Sequence, residues 1–134
     1  MILRNLSAMN KVYSFDTIIY PFKIFVIINN NPDIISEYFK EYTGENVVFT
    51  NNDGTDRMDA FTMKVISKET PEYGALLFFR DKKSMTPGLI AHEASHAAKF
   101  LFEHIGADMR EHEPFEYILE FIVDNCHKIK ANKF

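Results

Sequence analysis

The feature that most restricts this chain is one helix whose two ends are both written into the sequence. Thr86 and Pro87 supply an N-cap and a first-turn proline, the run to Ile105 is unbroken, and Gly106 stands where a left-handed residue closes a helix. Inside that run Ala91, Ala94, Ser95, Ala97 and Ala98 are small enough for neighbouring backbone to approach closely. The remaining elements must therefore provide a surface on which this helix can lie.

That surface reads as a sheet. Val12 to Tyr20 is rich in aromatic and β-branched residues, and Tyr20-Pro21 leads into a second strand-like run, Phe22 to Ile28. Asn31 and Pro32 mark a helix start, with Ile34, Ile35, Tyr38, Phe39 and Tyr42 at helical spacing and Gly44 placed to end it. Asn51 to Gly54 reads as a loop, followed by a strand pair, Ala60 to Ile66 and Tyr73 to Phe79. A last helix, about Pro114 to Ile129, carries Phe115, Ile118, Leu119 and Ile122 on one stripe. The expected class is α+β, a small antiparallel or mixed sheet with helices packed against it, and 134 residues suit one domain spanning 1–134.

Composition excludes more than it selects. Apolar residues at 46% and charged residues at 25% suit a globular chain. A net charge of −4 with scattered basic residues leaves no footprint for phosphate backbones, so nucleic acid is not an expected partner. The longest early apolar run, Ile24 to Ile28, is strand-sized and far below the roughly 20 residues of a membrane span. The single cysteine, Cys126, cannot form an intrachain disulfide, and a reducing cytoplasm is the expected setting.

Within the capped helix, residues 92 to 96 read His-Glu-Ala-Ser-His, an H-E-x-x-H pattern. Helical geometry sets His92 and His96 one turn apart on nearly one face, where both imidazoles can grip one ion. Glu93 lies roughly 100° round the helix, off the ligand face yet within reach of water at the ion, the position of a general base. A shuffled chain with five histidines would show this pattern on the order of one or two times in a hundred, so an accidental match is uncommon, and a structural-only pair of histidines stays as the alternative. Zinc suits such a set because three protein ligands leave a fourth position for water.

The third ligand is open on the residues alone. Glu113, Glu116 and Glu120 all follow His96 at compatible distances, and Glu116 has the spacing of thermolysin-like enzymes. If the last helix begins before Glu113, its apolar stripe points away from Glu113, Tyr117, Glu120 and Asp124, and that face is then a solvated one. If Pro114 marks the first turn, Glu113 sits at the helix start, where a wheel says little about its direction.

The series His92-Glu93-Ala94-Ser95-His96-Ala97-Ala98, Ile105-Gly106, Glu113-Pro114-Phe115-Glu116-Tyr117 and Ile122-Val123-Asp124 resembles a group of small bacteriophage and prophage metallopeptidase-like proteins of gluzincin type. The resemblance covers about the last third of the chain. It implies a minimal zincin-like domain, a zinc peptidase activity, a peptide or protein substrate, and Glu113, the glutamate before proline, as third ligand beside His92 and His96. Glu116 and Glu120 stand where small residues are common in that group, a departure that weakens the expectation of close helix packing there.

The expected function is hydrolysis of peptide bonds by metal-activated water with Glu93 as base. The alternative is a catalytically silent binding or regulatory protein of a phage or mobile element that keeps the same fold. Tyr73 to Phe79, leading to the zinc helix, is the strand nominated to hold an extended substrate. Tyr117 reads as a packed aromatic, with an oxyanion-stabilising role as its alternative. His104, His112 and His127 read as surface or helix-end residues, with His112 a further option near the metal, and Cys126 reads as a core residue.

Overall fold

The computed structural model describes residues 4–5, 12–17, 20–49, 58–108, 110 and 112–133, and of residues 4, 5, 112 and 113 the backbone alone. The loop expected at Asn51 to Gly54 lies outside the described residues.

The fold is α+β with a mixed sheet. Its strands are β1 (Arg4–Asn5), β2 (Val12–Asp16), β3 (Lys23–Ile28), β4 (Phe39–Glu41), β5 (Ala60–Ser67) and β6 (Tyr73–Phe79). They are ordered β1-β2-β3-β6-β5-β4, with β3 and β6 parallel and every other pair antiparallel. The two-residue β1 gave no signal in the sequence. The longer helices are α2 (Pro87–Ile105) and α3 (His112–Lys130).

The central strands β3 and β6 are apolar at almost every position because both sheet faces are covered. Ile24, Val26, Ala75, Leu77 and Phe79 face a core shared with α2 and α3, while Phe25, Ile27, Leu76 and Phe78 face a second core holding Ile34, Ile35, Phe39 and Val47. Parallel pairing brings β6 so close to β3 that a side chain at Gly74 would run into the Lys23 carbonyl oxygen and come within 2.7 Å of the Phe25 ring. Glycine there is a packing requirement.

The helix expected from Pro32 to Tyr42 is corrected. Asn31 does cap a start, accepting a hydrogen bond from the Asp33 N–H at 3.0 Å. The chain then makes only a 3-10 turn, Pro32–Ile34, and a single helical turn, α1 (Ile35–Tyr38), before Phe39 turns extended at φ −137° and ψ 152°. Phe39 pairs with Ser67 and packs its ring against Phe25 at 4.8 Å. Burial of this aromatic on a strand outweighs the weak local preference for continuing a short helix. Gly44, at φ +90°, serves the turn after β4 instead of ending a helix, donating to the Glu41 carbonyl at 2.8 Å.

The ends of α2 agree with the sequence. Thr86 Oγ1 accepts from the Leu89 N–H at 3.2 Å, and Gly106 adopts φ +71° while the Ala107 N–H returns to the Phe102 carbonyl at 2.9 Å. Before α2, Asp81 accepts from the Ser84 N–H at 2.7 Å and hydroxyl at 2.8 Å, bonds that hold its carboxyl below the ordinary range and close the connection from β6. Ala94, Ala97 and Ala98 are fully buried, so the small residues do seat α2 on the sheet and on α3. Phe102 meets Phe115, and Lys130 Nζ donates to the Met85 carbonyl, so α2 and α3 form an antiparallel hairpin. No helix among the described residues is long and apolar enough to cross a membrane.

Candidate metal centre

His92 and His96 are both exposed on α2, and their rings converge. The two Nε2 atoms are 3.3 Å apart, with ring centroids 4.9 Å apart and planes at 79°. Two nitrogens bound at about 2.0–2.1 Å to one tetrahedral ion are themselves about 3.3–3.4 Å apart. The same distance also suits a direct hydrogen bond between the two rings, one nitrogen donating and the other accepting. The imidazole pair is thus spaced either for that bond or for two ligands on a shared centre.

Glu93 faces the other way, toward the sheet, and is 4% exposed. A carboxylate so nearly buried needs a partner, and Thr62 on β5 supplies it. The Thr62 hydroxyl donates to Glu93 Oε1 at 2.7 Å and lies 3.2 Å from the Glu93 main-chain oxygen. Among the described residues, no donor reaches Glu93 Oε2, so Thr62 holds the carboxylate through Oε1. Sequence reasoning missed Thr62, because the strand-to-helix register that joins it to Glu93 leaves no mark in a linear pattern.

Of the acidic candidates on α3, Glu116 and Glu120 are not brought to the pair. Among the described residues no group of three or more His, Cys, Asp or Glu side chains could hold a metal ion, so neither Glu116 nor Glu120 joins His92 and His96. The side chain of Glu113 lies outside the described residues. The helix begins at His112, before Glu113, which is the condition under which the charged stripe is a solvated one, and Glu116, Glu120 and Asp124 are exposed. The hairpin register further sets the heights of these positions on α3. With Phe102 beside Phe115 and Met85 beside Lys130, Glu120 is the glutamate nearest in height to His96, while Glu113 and Glu116 lie closer to the turn.

Tyr117 is 66% exposed, which corrects its reading as a packed aromatic. His104 is no simple surface histidine. Its Nδ1 is 2.9 Å from the Tyr42 hydroxyl, and the rings of Phe22 and Tyr73 each lie 5.2 Å away. Phe100 stacks near His96 at 6.5 Å, and Lys64 Nζ sits 5.1 Å over its ring while pairing with Glu103 at 2.7 Å. Cys126 is a core residue as expected, its thiol pushed up to about 12 by burial.

The nominated substrate strand is also corrected. β6 lies between β3 and β5, so both of its edges are occupied. The next strand, β5, is paired with β4 over only part of its length. The Arg80 N–H donates to the Asp59 carbonyl and the Ser67 N–H to the Glu72 carbonyl, which sets the odd-numbered residues of this strand as the ones bonded to the β6 side. Ala60, Thr62 and Lys64 then aim their main-chain groups outward, and β4 meets only Val65, Ile66 and Ser67. Among the described residues, nothing pairs with the outer edge of β5 at Thr62 and Lys64.

Compared with protein-family models, curated proteins and solved structures, the chain matches none.

Proposed function

We propose that this protein is a zinc-dependent peptidase of minimal zincin-like architecture, hydrolysing peptide bonds with His92 and His96 as metal ligands and Glu93 as general base. The observation that carries this reading is the 3.3 Å separation of the two Nε2 atoms, the spacing expected of two ligands on one tetrahedral ion. The third ligand implied by the resemblance is Glu113; Glu116 and Glu120, the alternatives, do not join the histidine pair in this arrangement and would have to move to reach it. Bound zinc supplies Lewis-acid polarisation of a carbonyl and lowers the pKa of water at its open position to about 7.

The chain's own groups supply the remainder. Glu93, held at Oε1 by Thr62, would use Oε2 to take the proton of the attacking water and return it to the leaving nitrogen. An extended peptide would lie along the outer edge of β5, pairing its main chain with Thr62 and Lys64 beside the helix that bears the histidines. Phe100 and the Lys64 stem would flank that path.

The experiment is metal loading followed by turnover. Purified protein supplied with zinc should bind about one ion per chain and cleave members of a diverse peptide library, and Glu93→Gln should keep the zinc and lose cleavage. A wild type that takes up no zinc ends the reading. A zinc-loaded protein without turnover, capturing one partner equally well as wild type and as Glu93→Gln, would favour the silent binding protein instead.

A further inference from the structure

We propose that Thr62 is the positioning residue for Glu93, and that it ties the placement of this carboxylate to the strand edge on which an extended peptide would pair. The inference rests on the zinc peptidase reading and adds to it a residue that no motif names.

Thr62 is joined to one residue of α2 at two points, the carboxylate Oε1 at 2.7 Å and the main-chain oxygen of the same Glu93 at 3.2 Å. The shorter contact goes to a carboxylate, and hydrogen bonds to a charged acceptor are the stronger ones. A glutamate side chain rotates about three bonds, and among the described residues no other donor reaches Glu93. The orientation of the carboxylate is therefore set from β5, across the strand-to-helix packing, and not from within α2.

The backbone of Thr62 has a second part. Strand alternation sends its side chain up to α2 while its N–H and C=O point away from β6, along the stretch of β5 that no described residue pairs with. Beside it, Lys64 is likewise turned to α2, tied to Glu103. A peptide pairing with the edge at Thr62 would bond to the residue that holds the base, so docking and base placement share one reference point. Small errors in such placement are costly, since a displacement of about 1 Å can cost on the order of 100-fold in rate.

The test compares wild type with Thr62→Val, which keeps the branched shape and removes the hydroxyl, and Thr62→Ser, which keeps the hydroxyl. Thr62→Ala is the second probe should the valine variant not fold. Crystal structures of the metal-free variants need neither zinc nor turnover: the Glu93 carboxylate should leave its place in Thr62→Val and hold it in Thr62→Ser. In zinc-loaded protein, kcat should fall by about 10- to 100-fold in Thr62→Val with KM and zinc Kd nearly unchanged, and Thr62→Ser should restore it. A Glu93 carboxylate that stays in place without the hydroxyl overturns the proposal, as does a change in which zinc Kd alone moves. If wild type cleaves nothing, the peptidase reading fails by itself, and the Glu93 position in the variant crystals still decides the role of Thr62.

Discussion

Helices α2 and α3 match in length and pack against each other, yet they treat their carboxylates in opposite ways. On α2, Glu93 is taken out of solvent and given a hydroxyl partner from another element. On α3, Glu116, Glu120 and Asp124 stay exposed. Charge on an exposed helical face costs nothing and requires no explanation. A buried carboxylate requires desolvation to be offset, and on α2 the Thr62 hydroxyl provides the compensating hydrogen bond. The contrast separates a helix that buries a carboxylate against the sheet from one whose acidic face is solvated.

The largest effect should separate the two helices by activity. Glu93→Gln should lower kcat by about 10²- to 10⁴-fold with zinc retained, measured by peptide cleavage and metal analysis, whereas Asp124→Asn on the solvated face should leave kcat unchanged. A comparable loss from Asp124→Asn would break the comparison.

The next effect comes from α3's buried thiol. Burial raises Cys126 from an ordinary value of 9.0 to about 12, so between these values the unfolded chain releases a proton that the folded chain keeps. Fewer protons on the unfolded state mean that stability falls as pH rises through that window, with a slope of up to about 1.4 kcal/mol per pH unit. Denaturant titrations of wild type and Cys126→Ala should show this alkaline loss in the former and a smaller one in the latter.

A smaller effect concerns the one sealed polar atom without a partner among the described residues, Asn125 Oδ1, on the buried side of α3. Its Nδ2 donates only to the Phe121 carbonyl of its own helix at 2.8 Å. Asn125→Leu keeps the volume and removes the orphaned acceptor, and should raise unfolding free energy by about 1 kcal/mol. The smallest effect is expected at Glu116→Ala, within about 0.5 kcal/mol in the same titration, as for most exposed positions.

The sequence disclosed much of this fold where local chemistry decides the outcome. Thr86, Pro87 and Gly106 bound α2 because caps are local devices, and β5 and β6 follow their runs of apolar residues. It misled where long-range packing decides. Phe39 has helical spacing with Ile35, but its ring is buried as part of β4. The sequence points to β6 as the substrate strand because β6 precedes α2, and strand order, which puts β6 between β3 and β5, is not a property of neighbouring residues. In the site, the histidine pair and Glu93 are legible because one helix carries all three. Thr62 is hidden because it arrives from a strand far away in sequence, and the choice among Glu113, Glu116 and Glu120 depends on the packing of two helices.

The most direct test of the central claim is a crystal structure of zinc-soaked protein with the anomalous signal recorded at the zinc edge. The account predicts one peak lying about 2.0–2.1 Å from both His92 Nε2 and His96 Nε2, with a glutamate oxygen from α3 completing the protein ligands. Full exposure to zinc with no peak between those nitrogens would contradict it.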